Sequence, residues 1–553
     1  MRHICRQAIL SCIEGCGRLL KKLYKVEDNQ KSRPSKDSAE YQQGLSDGVS
    51  ANGEVLSEEL RDSIAATYGV DSFIPGDRKE QNRAVFSVGQ VQFFVCVALL
   101  SVAICVSKNV STFIIIFINI GNVIFFYLLI FKFGFIFYGA RIQKSLTTPP
   151  EPNNKQPITY PVYSILLPLY NEANILEMLI RNIDAINYPR DKLQVLLVVE
   201  VDDDATIKKA SSLILPGYFQ IVKVPKSFPR TKAKACNYAL RYVYGKYVAV
   251  WDAEDKPSAD QLHEVLEAFR SGGEDLVCVQ ARLSYYNAHE NILAQMFTIE
   301  YSILFDYMLP AFSEHRLPIP LGGSSNHLKT AFLKGVGGWD SFNVTEDAEM
   351  GIRIAAMGKR VMVINNYTYE ESPLNVRDWM KQRVRWLKGH LYTYLFYMRS
   401  PIDTFCKLGK AGFAAFNYAL GISGIGLMLA PILIMLMIIL QFKMLRCPEI
   451  FIELTWYFSM LNLILGIGIL VYSASIVCER LSDQLFRRRS GGMWCKLILI
   501  SLFPLYFILH SIAAFLALIE LIKRPYYWHK THHGISSICH LNMVPLTRGI
   551  EEK

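Results

Sequence analysis

YGKYVAVWDAED, residues 244–255, is an apolar strand that ends in acids. LQVLLVVEVDDD, residues 193–204, does the same, and YSILLPLYNE, residues 163–172, is a third buried strand ending in a polar turn. Between the first and second of these in chain order lies ANILEMLIRNIDAI, 173–186, apolar at Ile175, Leu176, Leu179, Ile180, Ile183 and Ile186. That spacing predicts an amphipathic helix. Strand, helix, strand, with reactive residues at strand C-terminal ends, is the pattern of an open α/β sheet whose ligands sit there.

Outward from this region the composition changes. Half the residues are apolar (51%), mean hydropathy is +0.20, and the apolar residues are clustered. Residues 91–107 and 110–138 read as a helical hairpin through a bilayer, broken at Lys108 and Asn109. Arg141 and Lys144 follow, placing that end on the cytoplasmic side, and TTPPEPNNKQP (147–157) is a stiff exit. No lipid-length run occurs between Arg141 and Arg399, and three apolar blocks follow, 413–442, 452–478 and 493–522. The expected organisation is a polar N-terminal region (1–90), the hairpin (91–138), a linker (139–159), a catalytic domain (160–400), interfacial and membrane helices (401–522) and a tail (523–553). The topology does not close: Arg487–Arg489 and the tail both look cytoplasmic, yet one span would separate them. Either the block with Pro504 is re-entrant, or the block near Phe413 starts with an interfacial helix.

Residues 1–26 read as an amphipathic helix with a basic end, and 27–90 as a mobile linker with a short helix near 57–68. The twelve cysteines are scattered without a CxxC, which points to neither a disulfide framework nor a zinc site; Cys5, Cys12 and Cys16 suit one side of a helix. A net charge of +10 without a basic stripe and interleaved aromatics argues against nucleic acid as partner.

Seven stretches carry chemistry. Asp202, Asp203 and Asp204 follow one strand; Asp252, Glu254 and Asp255 follow another. Carboxylates at i and i+2 on an extended turn can face one hard cation, which favours Asp252 with Glu254. TEDAEMGIRIAAMGKR (345–360) reads as a helix with Thr345 as N-cap, Glu346 and Asp347 in its first turn, and Asp347 as candidate general base. GGSSN (322–326) and GGWD (337–340) are turns suited to close backbone approach. WMKQRVRWLKGHLY (379–392) offers Arg385 to a diphosphate and Trp386 to a sugar face, or else is an interfacial helix. RTKAKACNYAL (230–240) sets Lys232 and Lys234 at a helix start.

Together YNE, DDD, DAED, GGSSN, TED and QRVRW, in this order between membrane segments, resemble membrane-integrated family-2 glycosyltransferases, the synthases of cellulose, hyaluronan and chitin. DAEDxP (252–257) and RPYYWHKTHHG (524–534) resemble a bacterial exopolysaccharide subgroup. The resemblance implies a GT-A type nucleotide-sugar-binding α/β domain inserted between α-helical transmembrane segments. It implies donor contacts from Asp202, Asp203, Lys232, Gln382 and Arg385, with Asn237 matching a family asparagine. Trp386, Gly323 and Ser324 would meet the acceptor, Asp252 and Glu254 would hold Mg²⁺ or Mn²⁺, and Asp347 with Glu346 would form the catalytic pair. Glu254 stands where the family has Asp, which leaves Glu254 and Asp255 as rival ligands.

The implied activity is inverting transfer from a nucleotide diphosphate sugar, UDP-linked by expectation, to a growing β-linked polysaccharide. The expected setting is a multi-pass protein of the bacterial inner membrane with its catalytic domain cytoplasmic, working beside an export or regulatory partner. Rival readings are single-sugar transfer to a polyprenyl-phosphate or other lipid, and a non-catalytic scaffold with a decayed transferase domain.

Overall fold

A computed structural model describes residues 85–107, 110–146, 160–446, 450–486 and 493–528, together with 534 and 536. The expectations for residues 1–84, for the linker at 147–159, for Arg487–Arg489 and for most of the tail lie outside the described residues.

Two apolar helices come first, α1 (Val88–Ser107) and α2 (Val110–Leu146). The chain then alternates through β1 (Tyr163–Leu169), α3 (Leu176–Asp184), β2 (Leu193–Glu200), α4 (Asp204–Ser212), β3 (Phe219–Val224), α5 (Lys232–Ala239), β4 (Tyr247–Val250), β5 (Lys256–Pro257), α6 (Gln261–Ser271) and β6 (Leu276–Tyr285). It continues through α7 (Ile292–Ser302), a π-helical turn Ile303–Met308, α8 (Leu309–Glu314), β7 (Asn326–Lys329), α9 (Thr330–Gly335), α10 (Glu346–Ala356), β8 (Arg360–Glu370) and α11 (Val376–Tyr397). Last come α12 (Pro401–Phe416), a second π-helical turn Asn417–Ile422, α13 (Ser423–Arg446), α14 (Ile450–Arg480), α15 (Ser482–Phe486) and α16 (Met493–Lys523).

The eight strands form one sheet in the order β3-β2-β1-β4-β7-β6-β8-β5. β3, β2, β1 and β4 are parallel, and β7 runs antiparallel between β4 and β6. Strands covered on both faces must be apolar throughout. β2 is buried at all eight positions and β1 at all but Pro168, and their few polar members are paired, Ser164 with Gln194 and Glu200 with Lys234. α3 packs Leu176, Leu179, Ile180 and Ile183 onto this sheet, the face its sequence periodicity marked. The result is a GT-A-like α/β fold flanked by apolar helices.

Four described helical stretches are long and apolar enough to cross a membrane: Phe113–Gln143, Pro401–Phe442, Ile452–Arg480 and Met493–Lys523. α1 contributes a shorter apolar stretch, Val88–Leu99. α12 is broken at Gly409, whose φ of 68° no helix tolerates; this separates a polar first piece from the apolar stretch beyond.

The ends of these helices are tied to the α/β domain. Gln90, at the start of α1, donates to the Leu395 carbonyl of α11 at 2.7 Å. Gln143, near the end of α2, donates to the Asp306 carbonyl at 2.8 Å. Arg480, closing α14, pairs with the Asp306 carboxylate. Just before α16, Gln484 donates to the Tyr285 carbonyl and Leu485 accepts from Gln295. At its other end Glu520 pairs with Lys388 of α11 at 3.1 Å. In between, α16 runs alongside α11 in the same direction, with Trp379 on Tyr506, Val384 against Ala513 and Ala517, and Leu391 against Leu521.

Candidate active site

One cavity of about 610 Å³ opens at the C-terminal ends of β1, β2 and β4. Asp252, Glu254, Lys232, Gly323, Glu346, Asp347, Gln382, Arg385 and Trp386 all line it. The sequence clusters are spread over about 150 residues and meet here because β4, α5, α10 and α11 all present an end or a face to the same space.

β4 delivers the acids. Trp251 is fully buried and its indole N–H bonds Ser325 at 2.7 Å, anchoring the turn that follows. Asp252 is left half-buried, paired with the Lys232 ammonium. Lys232 also donates to the Gly323 carbonyl at 2.6 Å, so one lysine ties the acid turn to the glycine turn. Asp255 turns inward, accepting from the Asp252 amide at 2.6 Å and from the Ser324 hydroxyl. It braces the loop and is absent from the cavity wall, whereas Glu254 lines it. Ser324 is likewise buried behind the cavity.

Burial pushes the Glu254 carboxyl well up, and the nearby Asp252, Asp255, Glu172 and Glu370 add to it. Burial and Asp252 push Asp255 up to about 8. Among the described residues no three His, Cys, Asp or Glu side chains form a metal cage. A divalent cation here would need oxygens from its ligand, as Mg²⁺ and Mn²⁺ accept from phosphates. The cavity-lining Asp252 and Glu254 suit that role: they are crowded carboxylates that repel one another and that a cation would relieve.

α10 delivers the candidate base. Thr345 precedes it, but its hydroxyl bonds Asn343 at 3.3 Å and caps no amide. The N-cap bond expected from the sequence is thus absent, and the Thr345 hydroxyl donates to Asn343 instead. Asp347 accepts from the Ala348 amide at 2.7 Å, and a Cβ at Gly323 would stand 3.1 Å from its other oxygen. Burial raises both acids; Glu346 reaches about 7, with Asp347 pushing it up and Lys232 pulling it down.

α11 delivers QRVRW. Gln382 Oε1 and Arg385 Nε are buried and have no hydrogen-bond partner within the protein, so both suit a bound ligand. The Trp386 ring stacks on Tyr301, centroids 6.0 Å apart and planes 15° apart.

Other expected residues stand elsewhere. Asp203 is buried, accepting from the Thr206 and Asn171 amides as cap of α4. Asp202 pairs with Arg230, which does line the cavity and lies 4.3 Å over the Tyr170 ring. Asn237 bonds the Trp339 carbonyl and amide at 2.7 and 2.9 Å, clamping the GGWD turn rather than facing the cavity.

Sequence reasoning did not assign Glu200, Arg230, Tyr301 or Glu370 to the site, nor the stretch Arg524–Trp528, which closes one wall. Lys388, fully buried on α11, holds the carbonyls of Arg524 and Tyr527 at 3.3 and 2.7 Å. The aromatic density of RPYYW was the available signal, but nothing local says that it folds back.

Two family descriptions match the chain: Glycosyl transferase family 2 over residues 164–327 and Glycosyl transferase family group 2 over residues 247–522. Among curated proteins, probable glycosyltransferase YdaM of Bacillus subtilis (strain 168) is 24% identical over 239 residues, covering 42% of this chain and 56% of that protein. Probable glucomannan 4-beta-mannosyltransferase 1 of Arabidopsis thaliana is 26% identical over 241 residues, covering 42% and 43%. The chain spans about half the length of the curated relatives it matches. Among solved structures, mannosyltransferase PcManGT of Pyrobaculum calidifontis, in complex with GDP-Man and Mn²⁺, superposes with a TM-score of 0.43 at 18% identity, covering 72% of this chain and 98% of that one. The S. aureus TarS 1–349 structure gives 0.32 at 12% identity, covering 68% and 97%.

Proposed function

We propose, on the premise that this chain carries a glycosyltransferase family 2 domain and is a glycosyltransferase, that it extends a β-linked polysaccharide at a membrane. The donor is a nucleotide diphosphate sugar, with UDP as the expected carrier, and the chemistry is inverting. The observation that carries this reading is the meeting of Asp252, Asp347, Gln382, Arg385 and Trp386 on one cavity.

Asp347 takes the proton of an acceptor hydroxyl as that oxygen attacks the anomeric carbon and the diphosphate leaves from the opposite face. Buried among Lys232 and Arg385, its carboxylate is oriented by the Ala348 amide. Lys232, Gln382 and Arg385 bind the diphosphate, whose charge grows as the sugar–phosphate bond breaks. Asp252 and Glu254 would hold a Mg²⁺ or Mn²⁺ ion, which would supply further neutralisation of that charge. Trp386 presents its face to the acceptor sugar.

The helix-end contacts support one membrane arrangement. α1 and α13 leave the catalytic domain, and α2 and α14 return to it. α15, ahead of α16, is held to Tyr285, and α16 lies against α11 from Tyr506 to Leu521, which supports α16 lying along the membrane surface although its length would allow a crossing. That nucleotide sugars are cytoplasmic metabolites supports a cytoplasm-facing domain, with the bacterial inner membrane as the expected setting.

The test is incorporation of label from UDP- and GDP-linked sugars into product by membranes carrying the native protein and Asp347→Asn. Native membranes should yield product retained as a ladder or a high-mass smear. A single added sugar on lipid would favour the lipid-acceptor alternative, and undiminished incorporation by Asp347→Asn would remove Asp347 as base.

A further inference from the structure

Glu300, on α7, carries three hydrogen bonds from two other helices. Arg383 of α11 donates to one oxygen at 2.8 Å, and the Tyr506 hydroxyl of α16 joins the same oxygen at 2.8 Å. His510 of α16 lies 3.2 Å from the other oxygen. The Trp379 indole closes the ring by donating to Tyr506 at 2.8 Å. Burial works against the Glu300 charge, but Arg383 and His510 outweigh it and hold its pKa at about 2. None of these groups lines the catalytic cavity.

What the cluster holds is a planar cation. The Arg383 guanidinium lies 4.7 Å from the Trp386 ring centroid, 4.9 Å from Phe297 and 5.3 Å from Trp379. Its Nε is buried without a hydrogen-bond partner, so packing among rings accounts for its orientation there. Tyr301, the neighbour of Glu300 on α7, stacks on Trp386. One turn of α7 thus contacts the tryptophan directly through Tyr301 and indirectly through Glu300 and Arg383. A carboxylate that fixes a guanidinium in one plane fixes the ring packed on it.

We propose that the buried Glu300–Arg383 pair is a positioning device that sets the plane of Trp386, and thereby how tightly a sugar acceptor is held. This rests on the reading of Trp386 as the acceptor platform. Arg383 and Glu300 are positioning residues here and touch no reacting atom.

The experiment uses the full chain in lipid nanodiscs, the nucleotide sugar that the native protein consumes, and cellobiose and mannobiose as acceptor probes. Arg383→Lys keeps a charge for Glu300 but removes the planar group over Trp386. Its acceptor KM should rise about tenfold, the range expected for losing one oriented aromatic contact. Donor KM should stay within twofold, and acceptor-independent release of nucleoside diphosphate should be unchanged. Glu300→Gln should move the same constant in the same direction; if it fails to fold, Arg383→Lys decides alone. An unchanged acceptor KM in Arg383→Lys, with Trp386→Ala raising it, overturns the positioning role and leaves the proposed function standing. An unchanged acceptor KM in Trp386→Ala overturns both. A parallel loss of donor and acceptor affinity in Arg383→Lys marks general structural damage and also overturns the proposal.

Discussion

The buried Lys388 ammonium donates to the Tyr527 carbonyl at 2.7 Å, so a residue of the QRVRW helix holds the segment that walls the same cavity. Lys388→Met would keep the volume and leave Glu520 and two carbonyls without their donor. Breaking one side of a buried ion pair costs roughly 3–5 kcal/mol when the partner stays buried. Glu520 keeps about a quarter of its side chain exposed, so the lower end is expected. Thermal unfolding in detergent should shift down, and donor KM should rise as Arg524–Trp528 loses its anchor.

As the proposed base, Asp347, with Glu346 beside it, should give the reaction its acid limb. Both carboxyls sit above their ordinary values through burial, Glu346 at about 7. Lys232 and Arg385 pull Asp347 down and Asp252 pushes it up. The proposed base acts only when ionised, so kcat should rise with pH through a region above the ordinary aspartate range and level off beyond it. Glu346→Gln removes a neighbouring negative charge and should move that limb to lower pH. A limb that stays in place under Glu346→Gln would separate the two acids.

Glu254 and Asp255 should part company in a metal titration. Glu254→Gln removes a cavity-facing oxygen and should raise the Mn²⁺ or Mg²⁺ concentration for half activity, by about ten- to a hundredfold. Asp255→Asn weakens the brace to the Asp252 amide and Ser324, and should show chiefly as a lower unfolding temperature. EDTA should abolish turnover in the native protein and added Mn²⁺ should restore it.

α16 should show both ends on one side of the membrane. Asp483 and Lys523 are exposed and flank it. Single cysteines at these two positions, in a chain otherwise freed of exposed thiols, should react with an impermeant maleimide in inside-out vesicles and resist it in right-side-out ones. Labelling from opposite sides would make α16 a plain span.

Much of the site was readable because its determinants are local. A strand buried on both faces must be apolar along its length, and where it emerges the chain needs polar residues, so Asp252 and Glu254 mark the end of β4. An acid pair at the start of α10 and a cation–aromatic run on α11 are equally visible in one dimension. The i, i+2 spacing favoured Glu254 over Asp255 but gave no sign of where Asp255 turns. Both are carboxylates one residue apart, and only the turn geometry sends Asp255 inward to the Asp252 amide. Asp203 and Asn237 illustrate the same limit: side chains matched to donor-site positions serve here as a helix cap and a turn clamp.

The amino-acid order by itself determined the α/β pattern, the apolar stretches and the residue types available for catalysis, because periodicity and strand ends are short-range properties. Only the packed chain decided that Arg524–Trp528 returns to the cavity and that α16 runs beside α11. Hydropathy averages around a helix and measures its length, but direction comes from partners. The Trp379–Tyr506 and Lys388–Glu520 contacts join residues more than 120 positions apart.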